Sequence, residues 1–75
     1  MTTLKTAEYK VLKFCRDYIA LYRFSPSIRD IMTEVGMNST SHVRYLMNCL
    51  EEKGMISRVR NQARSISITE EGKNV

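Results

Sequence analysis

The sequence predicts one α+β domain, three helices followed by a two-stranded β-hairpin, and three observations carry that expectation. The chain has 75 residues, 43% apolar and 27% charged, an ordinary globular balance with room for a single small core. Apolar residues recur at helical spacing in three stretches, each closed by Pro or Gly. After Gly54 the period shortens to two, with isoleucines alternating with serines.

The first helix is expected from Thr6 to Tyr22. Val11, Cys15, Ile19 and Tyr22 share one face, and Leu12, Phe14, Tyr18 and Leu21 widen it. Thr6 is the candidate N-cap, and Glu8 lies where a carboxylate favours the helix dipole. Pro26 has no amide donor and forces Ser25 into an extended conformation, so the helix must stop before it. Ser27 and Asp30 then form a capping box for a second helix, whose Ile28, Ile31, Met32 and Val35 make a narrow apolar stripe. Gly36 suits a left-handed end. Ser39 caps the third helix, Val43, Leu46, Met47 and Leu50 face inward, and Gly54 is its C-cap.

Beyond Gly54, Ile56 and Val59 read as one strand and Ile66 and Ile68 as the other, joined by the polar turn Asn61 to Arg64. No repeat or linker interrupts the chain. The domain is expected over residues 1–69, and residues 70–75, without a core pattern, as a tail that frays. Two short helices around a Gly-containing turn suggest a helix-turn-helix, and three helices followed by a basic hairpin is the order of a winged helix.

Several function classes are disfavoured. The longest apolar run, Tyr18 to Tyr22, is far short of the roughly 20 residues of a membrane span, and no signal-peptide pattern opens the chain. A cytoplasmic protein without membrane contact is expected. Cys15 and Cys49 lack metal-ligand spacing, and His42 is the only histidine. With no paired carboxylates, Ser-His-Asp set or phosphate loop, neither an enzyme nor a bound metal or cofactor is expected. The charge points elsewhere. Twelve basic residues against eight acidic ones give +4, and from Lys53 to Arg64 there are only bases: Lys53, Arg58, Arg60 and Arg64. Such a segment either meets phosphates or is a solvated hairpin edge kept from pairing by its charges.

A specific resemblance rests on Leu4, Val11-Leu12, Ser25-Pro26-Ser27, Arg29-Asp30-Ile31, Gly36, Ser39, Ser41, Leu50-Glu51, Lys53-Gly54 and Ala63-Arg64-Ser65-Ile66. In order and spacing, over residues 4 to 68, these resemble the N-terminal DNA-binding domain of LexA repressors. The resemblance implies a winged helix-turn-helix whose third helix enters the major groove of double-stranded DNA. Helix 3 would then offer Ser39, Ser41, His42, Arg44 and Tyr45 to base edges. Arg44 suits guanine O6 and N7, and Ser41 and His42 can each add a hydrogen bond. Tyr45 can pack on thymine methyls or a phosphate. For Ser39 the competing role is capping, for His42 local packing, and for Tyr45 and Arg44 simple solvation. Thr40, Arg29 and the wing arginines Arg58, Arg60 and Arg64 would touch the backbone. Arg64 has a second option, bracing the hairpin against the helices.

The sequence also departs from the family. LexA repressors carry a second, dimerising and self-cleaving domain that these 75 residues do not include, so self-cleavage is not expected of them. A second copy on a palindromic site, or a protein partner, is expected to supply what one reading head lacks. Arg23 stands where the family usually has Gly after the first helix, where a left-handed residue costs more than Gly. Residues 40–45 do not follow the family's usual sets, so no operator sequence can be borrowed. The expected function is a sequence-specific, repressor-like regulator. The alternative is a protein-interaction module or antirepressor that binds a repressor, polymerase or protease.

Overall fold

Helix α1 spans Thr6–Tyr22, and its inner face, Val11, Leu12 and Cys15, is fully covered by the rest of the chain. The structure is a computed structural model and describes residues 3–59, 62 and 64–75. The N-cap of α1 is Lys5, one residue earlier than expected, because the backbone leaves the extended region there. In place of a hydroxyl cap, the carboxylate of Glu8 accepts the Lys5 amide at 2.9 Å. At the other end Arg23 is left-handed, with φ 67°, and its N–H bonds to Ile19 O. A side chain thus occupies a conformation that costs non-glycine residues about 1–2 kcal/mol.

Helices α2 (Ile28–Val35) and α3 (Thr40–Glu52) follow as the spacing predicts. The Ser27–Asp30 capping box closes in both directions: Ser27 Oγ accepts from the Asp30 amide at 3.1 Å, and Asp30 Oδ2 from the Ser27 amide at 3.0 Å. Those bonds hold the Asp30 carboxyl below its ordinary range, helped by the nearby Arg64 guanidinium. Gly36 is left-handed, and four residues separate the two helices. Helix α3 packs on both others through Val43, Leu46, Met47 and Leu50, which are buried with Ile31. The i, i+3, i+4, i+7 stripe is what allows one helix to meet two neighbours. Cys15 lies inside this core, and burial pushes its thiol up to about 12.

The hairpin is shorter than the alternation suggests. Strands β1 (Ile56–Ser57) and β2 (Ser67–Ile68) pair antiparallel, with Ile56 opposite Ile68. Ile56 and Ile66 turn inward, whereas Val59, expected in the first strand, is exposed beyond the paired region. The tail expected to fray is instead a helical turn, α4 (Glu70–Lys73). Thr69 explains the correction: its hydroxyl accepts from the Gly72 amide at 3.1 Å and donates to Gly54 O at 2.6 Å, and Gly72 is buried close against Met55 O. A side chain at 72 would collide with that carbonyl. Arg16 also reaches Val75 O at 2.8 Å, tying the tail to α1.

Candidate nucleic-acid interface

Burying Val43, Leu46, Met47 and Leu50 forces the rest of α3 outward. Ser39, Thr40, Ser41, His42, Arg44 and Tyr45 are all exposed, Tyr45 by 57%. Ser39 Oγ accepts the His42 amide at 3.3 Å, which makes Ser39 a cap at the tip of this face. Arg44 has no ion pair or hydrogen bond among the described residues. The Tyr45 hydroxyl is held in its protonated form, its pKa raised chiefly by the neighbouring Cys49. The face therefore offers hydroxyls, one imidazole and one guanidinium, which are hydrogen-bonding groups suited to base edges.

The wing is fixed beside that face by Ser25, which is buried. Its hydroxyl accepts the Ile66 amide at 3.1 Å and donates to Pro26 O at 3.0 Å, so the loop after α1 takes up the free N–H at the start of the returning strand. Arg64, itself left-handed with φ 54°, bonds through Nη1 to Ser25 O at 3.1 Å and pairs with Asp30 Oδ2 at 3.3 Å. Its guanidinium also lies 5.5 Å from the Phe24 ring centre and 3.5 Å from the Tyr18 hydroxyl. This is the bracing option for Arg64. Ser65 Oγ closes the wing by accepting the Val59 amide at 3.1 Å.

Arg58 also turns inward. Its Nε meets Glu51 Oε1 at 3.3 Å and its Nη2 donates to Asn48 Oδ1, both on α3. The wing and α3 are thereby linked, and a groove lined by Arg44, Tyr45, Asn48, Glu51 and Arg58 lies between them. Arg29 is exposed on the first turn of α2, and Arg60 lies outside the described residues. Asn48 and the partner of Glu8 are not marked by the sequence expectations. Asn48 is exposed one turn beyond Arg44, and its i+4 spacing was the available signal. Glu8 is 2% exposed, and its Oε1 takes Lys53 Nζ at 2.6 Å across 45 residues. Lys53 holds that carboxyl below the ordinary range, and its Nζ also donates to Thr3 O at 3.2 Å. This pins the start of α1 to the end of α3.

Comparison with known proteins gives this geometry a family. Residues 1–65 match the family described as the LexA DNA binding domain. The chain belongs to that family. The LexA repressor of Corynebacterium efficiens is 35% identical over 66 residues, covering 88% of this chain and 28% of the relative. That of Moorella thermoacetica is 43% identical over 58 residues, 77% of this chain and 28% of the relative. The Herpetosiphon aurantiacus LexA repressor is 34% identical over 68 residues, 91% and 32% respectively. The chain thus spans about a third or less of the curated repressors it matches. Three helices with a two-stranded wing are the winged helix-turn-helix that the LexA resemblance implied. Among the described residues, no helix of this LexA domain is long and apolar enough to cross a membrane.

Proposed function

We propose that this LexA-type domain binds double-stranded DNA in a sequence-selective way and acts as a repressor-like regulator of transcription in the cytoplasm. The observation that carries this reading is the outward face of α3, where Ser41, His42, Arg44 and Tyr45 are exposed on a helix locked to the core. A helix of 13 residues fits a major groove, and its early residues reach base edges. Arg44 reads guanine, Ser39 adds a base-edge contact at the helix start, and Thr40 and Arg29 approach the backbone. Two copies on a palindromic site supply the avidity that a single head lacks.

The test measures binding to a pool of duplexes at two salt concentrations, for wild type and Arg44→Ala. Sequence-selective binding is expected, with a salt slope of roughly 0.9 per phosphate neutralised. Arg44→Ala should lose roughly 5- to 100-fold at one base position. Equal binding of all duplexes, unchanged by Arg44→Ala, would overturn the reading. One observation favours the alternative of a protein-interaction module: Leu21, Tyr22 and Phe24 are exposed together around the end of α1. Such a patch fits a protein partner better than it fits DNA, and a sizing run with and without duplex separates the two readings.

A further inference from the structure

The fold-back of Arg58 changes what α3 presents. A wing arginine free to meet phosphate would project into solvent, yet the Arg58 side chain is only 23% exposed and its guanidinium is engaged on α3. Its fork is divided between the carboxylate of Glu51 and the carbonyl oxygen of Asn48. Both partners lie on α3, three residues apart, so they are neighbours on one face of the helix. Two consequences follow. The Glu51 carboxylate, which would repel phosphates at the groove edge, is paired. The Asn48 amide is also oriented, because with Oδ1 held by Arg58 the group left to approach DNA is the Nδ2 donor pair.

We infer that Asn48 is a further specificity-determining residue of the α3 reading face, presenting its Nδ2 donors to a base-edge acceptor, and that Arg58 is the positioning residue that sets the amide. This rests on the DNA-reading function proposed above. Ser41, Arg44 and Asn48 are exposed at spacings of three and four, so they share one face. From Ser41 to Asn48 the helix rises roughly 10 Å, within the ~12 Å width of the major groove. The acceptors that suit an Nδ2 donor are guanine O6 and N7, adenine N7 and thymine O4. A side chain fixed before binding loses less freedom when it binds, which is the advantage of holding the amide in advance.

The experiment uses the same duplex pool with Asn48→Ala, Arg58→Ala, Arg58→Lys and the double variant. Asn48 is solvent-exposed on a helix, where Ala is well tolerated, and far-ultraviolet circular dichroism checks the fold. Asn48→Ala is expected to relax selectivity at one base pair by roughly 5- to 100-fold while leaving other positions in proportion. Arg58→Ala should relax the same base pair and add little to Asn48→Ala, the non-additivity of two groups acting as one. Arg58→Lys keeps the charge but not the fork, so it should retain the salt slope and still lose selectivity. If Asn48→Ala lowers all duplexes equally or none, the inference falls. An Arg58→Ala effect that adds fully and lowers the salt slope by about 0.9 makes Arg58 a phosphate contact and overturns its positioning role. So does full selectivity in Arg58→Lys. Within the same data, a wild-type preference altered by Arg44→Ala but not by Asn48→Ala rejects this inference alone. A wild type with no preference rejects DNA reading itself.

Discussion

Replacing Ser25 by Ala removes one oxygen, and the structure allows its effect to be worked out. Ser25 Oγ is the acceptor for the Ile66 amide, and both residues are buried. In Ser25→Ala that N–H has no acceptor and no ready access to water, a penalty of about 1–3 kcal/mol. The hydroxyl bond to Pro26 O disappears as well, worth about 0.5–1.5 kcal/mol, and a buried methyl recovers part of the loss. The net destabilisation should be about 2–3 kcal/mol, which for a domain of this size lowers Tm by roughly 10–20 °C. Thermal unfolding followed by circular dichroism reads the Tm. Urea titration should show a lower midpoint with the same slope, because the folded state buries nearly the same surface. Hydrogen exchange at Ile66 should accelerate more than at Leu50, since the wing loosens before the core opens. A Tm within 3 °C of wild type, or an Ile66 amide as protected as before, would refute the claim that this one oxygen docks the wing.

Further outcomes follow from other residues. Arg23 spends about 1–2 kcal/mol in the left-handed region, and Gly adds unfolded-state entropy of about 0.4–1 kcal/mol. Arg23→Gly should therefore stabilise by about 0.5–1 kcal/mol, read as a higher urea midpoint. Glu8 has a lowered pKa in the folded chain. Its contribution is therefore complete above the ordinary carboxylate value of 4.5 and is lost as pH falls through the lower folded value. Glu8→Gln should destabilise most near neutral pH, and its gap from wild type should close in acid. A gap that stays constant from pH 7 down to pH 3 would remove the Lys53 pairing as the cause.

Most of the fold is legible because it is local. The three apolar stripes, the Ser27–Asp30 box and Gly36 each involve residues within one or two turns, where sequence spacing is spatial spacing. The Thr69 cap was equally local, with Glu70 and Glu71 in its first turn and Gly72 three residues on, but a segment without an apolar stripe does not read as a helix. The strands are shorter than the alternation because alternation marks a residue's preference and not where pairing ends, and Val59 lies beyond the last bonded pair. The candidate site divides along the same line. The exposed face of α3 follows from the buried stripe opposite it, so Ser41, His42, Arg44 and Tyr45 fall where the pattern put them. The partners of Glu8, Arg58 and Arg64 are set by packing between distant segments. No spacing rule assigns Lys53 to Glu8 across 45 residues or Ser25 to Arg64 across 39.

The sealed thiol of Cys15 gives the molecule a clock. Cys15 is only 1% exposed and burial pushes its thiol up to about 12, so an alkylating reagent does not reach a reactive thiolate while the core is closed. Each modification at Cys15 then records one opening event, and its rate against reagent concentration distinguishes how often the core opens from how long it stays open. With Cys49 replaced by Ser, the same residue would time the opening of the free domain and of the domain on DNA. The ratio of the two rates is a measure of how strongly the duplex holds the fold shut, obtained without heat or denaturant.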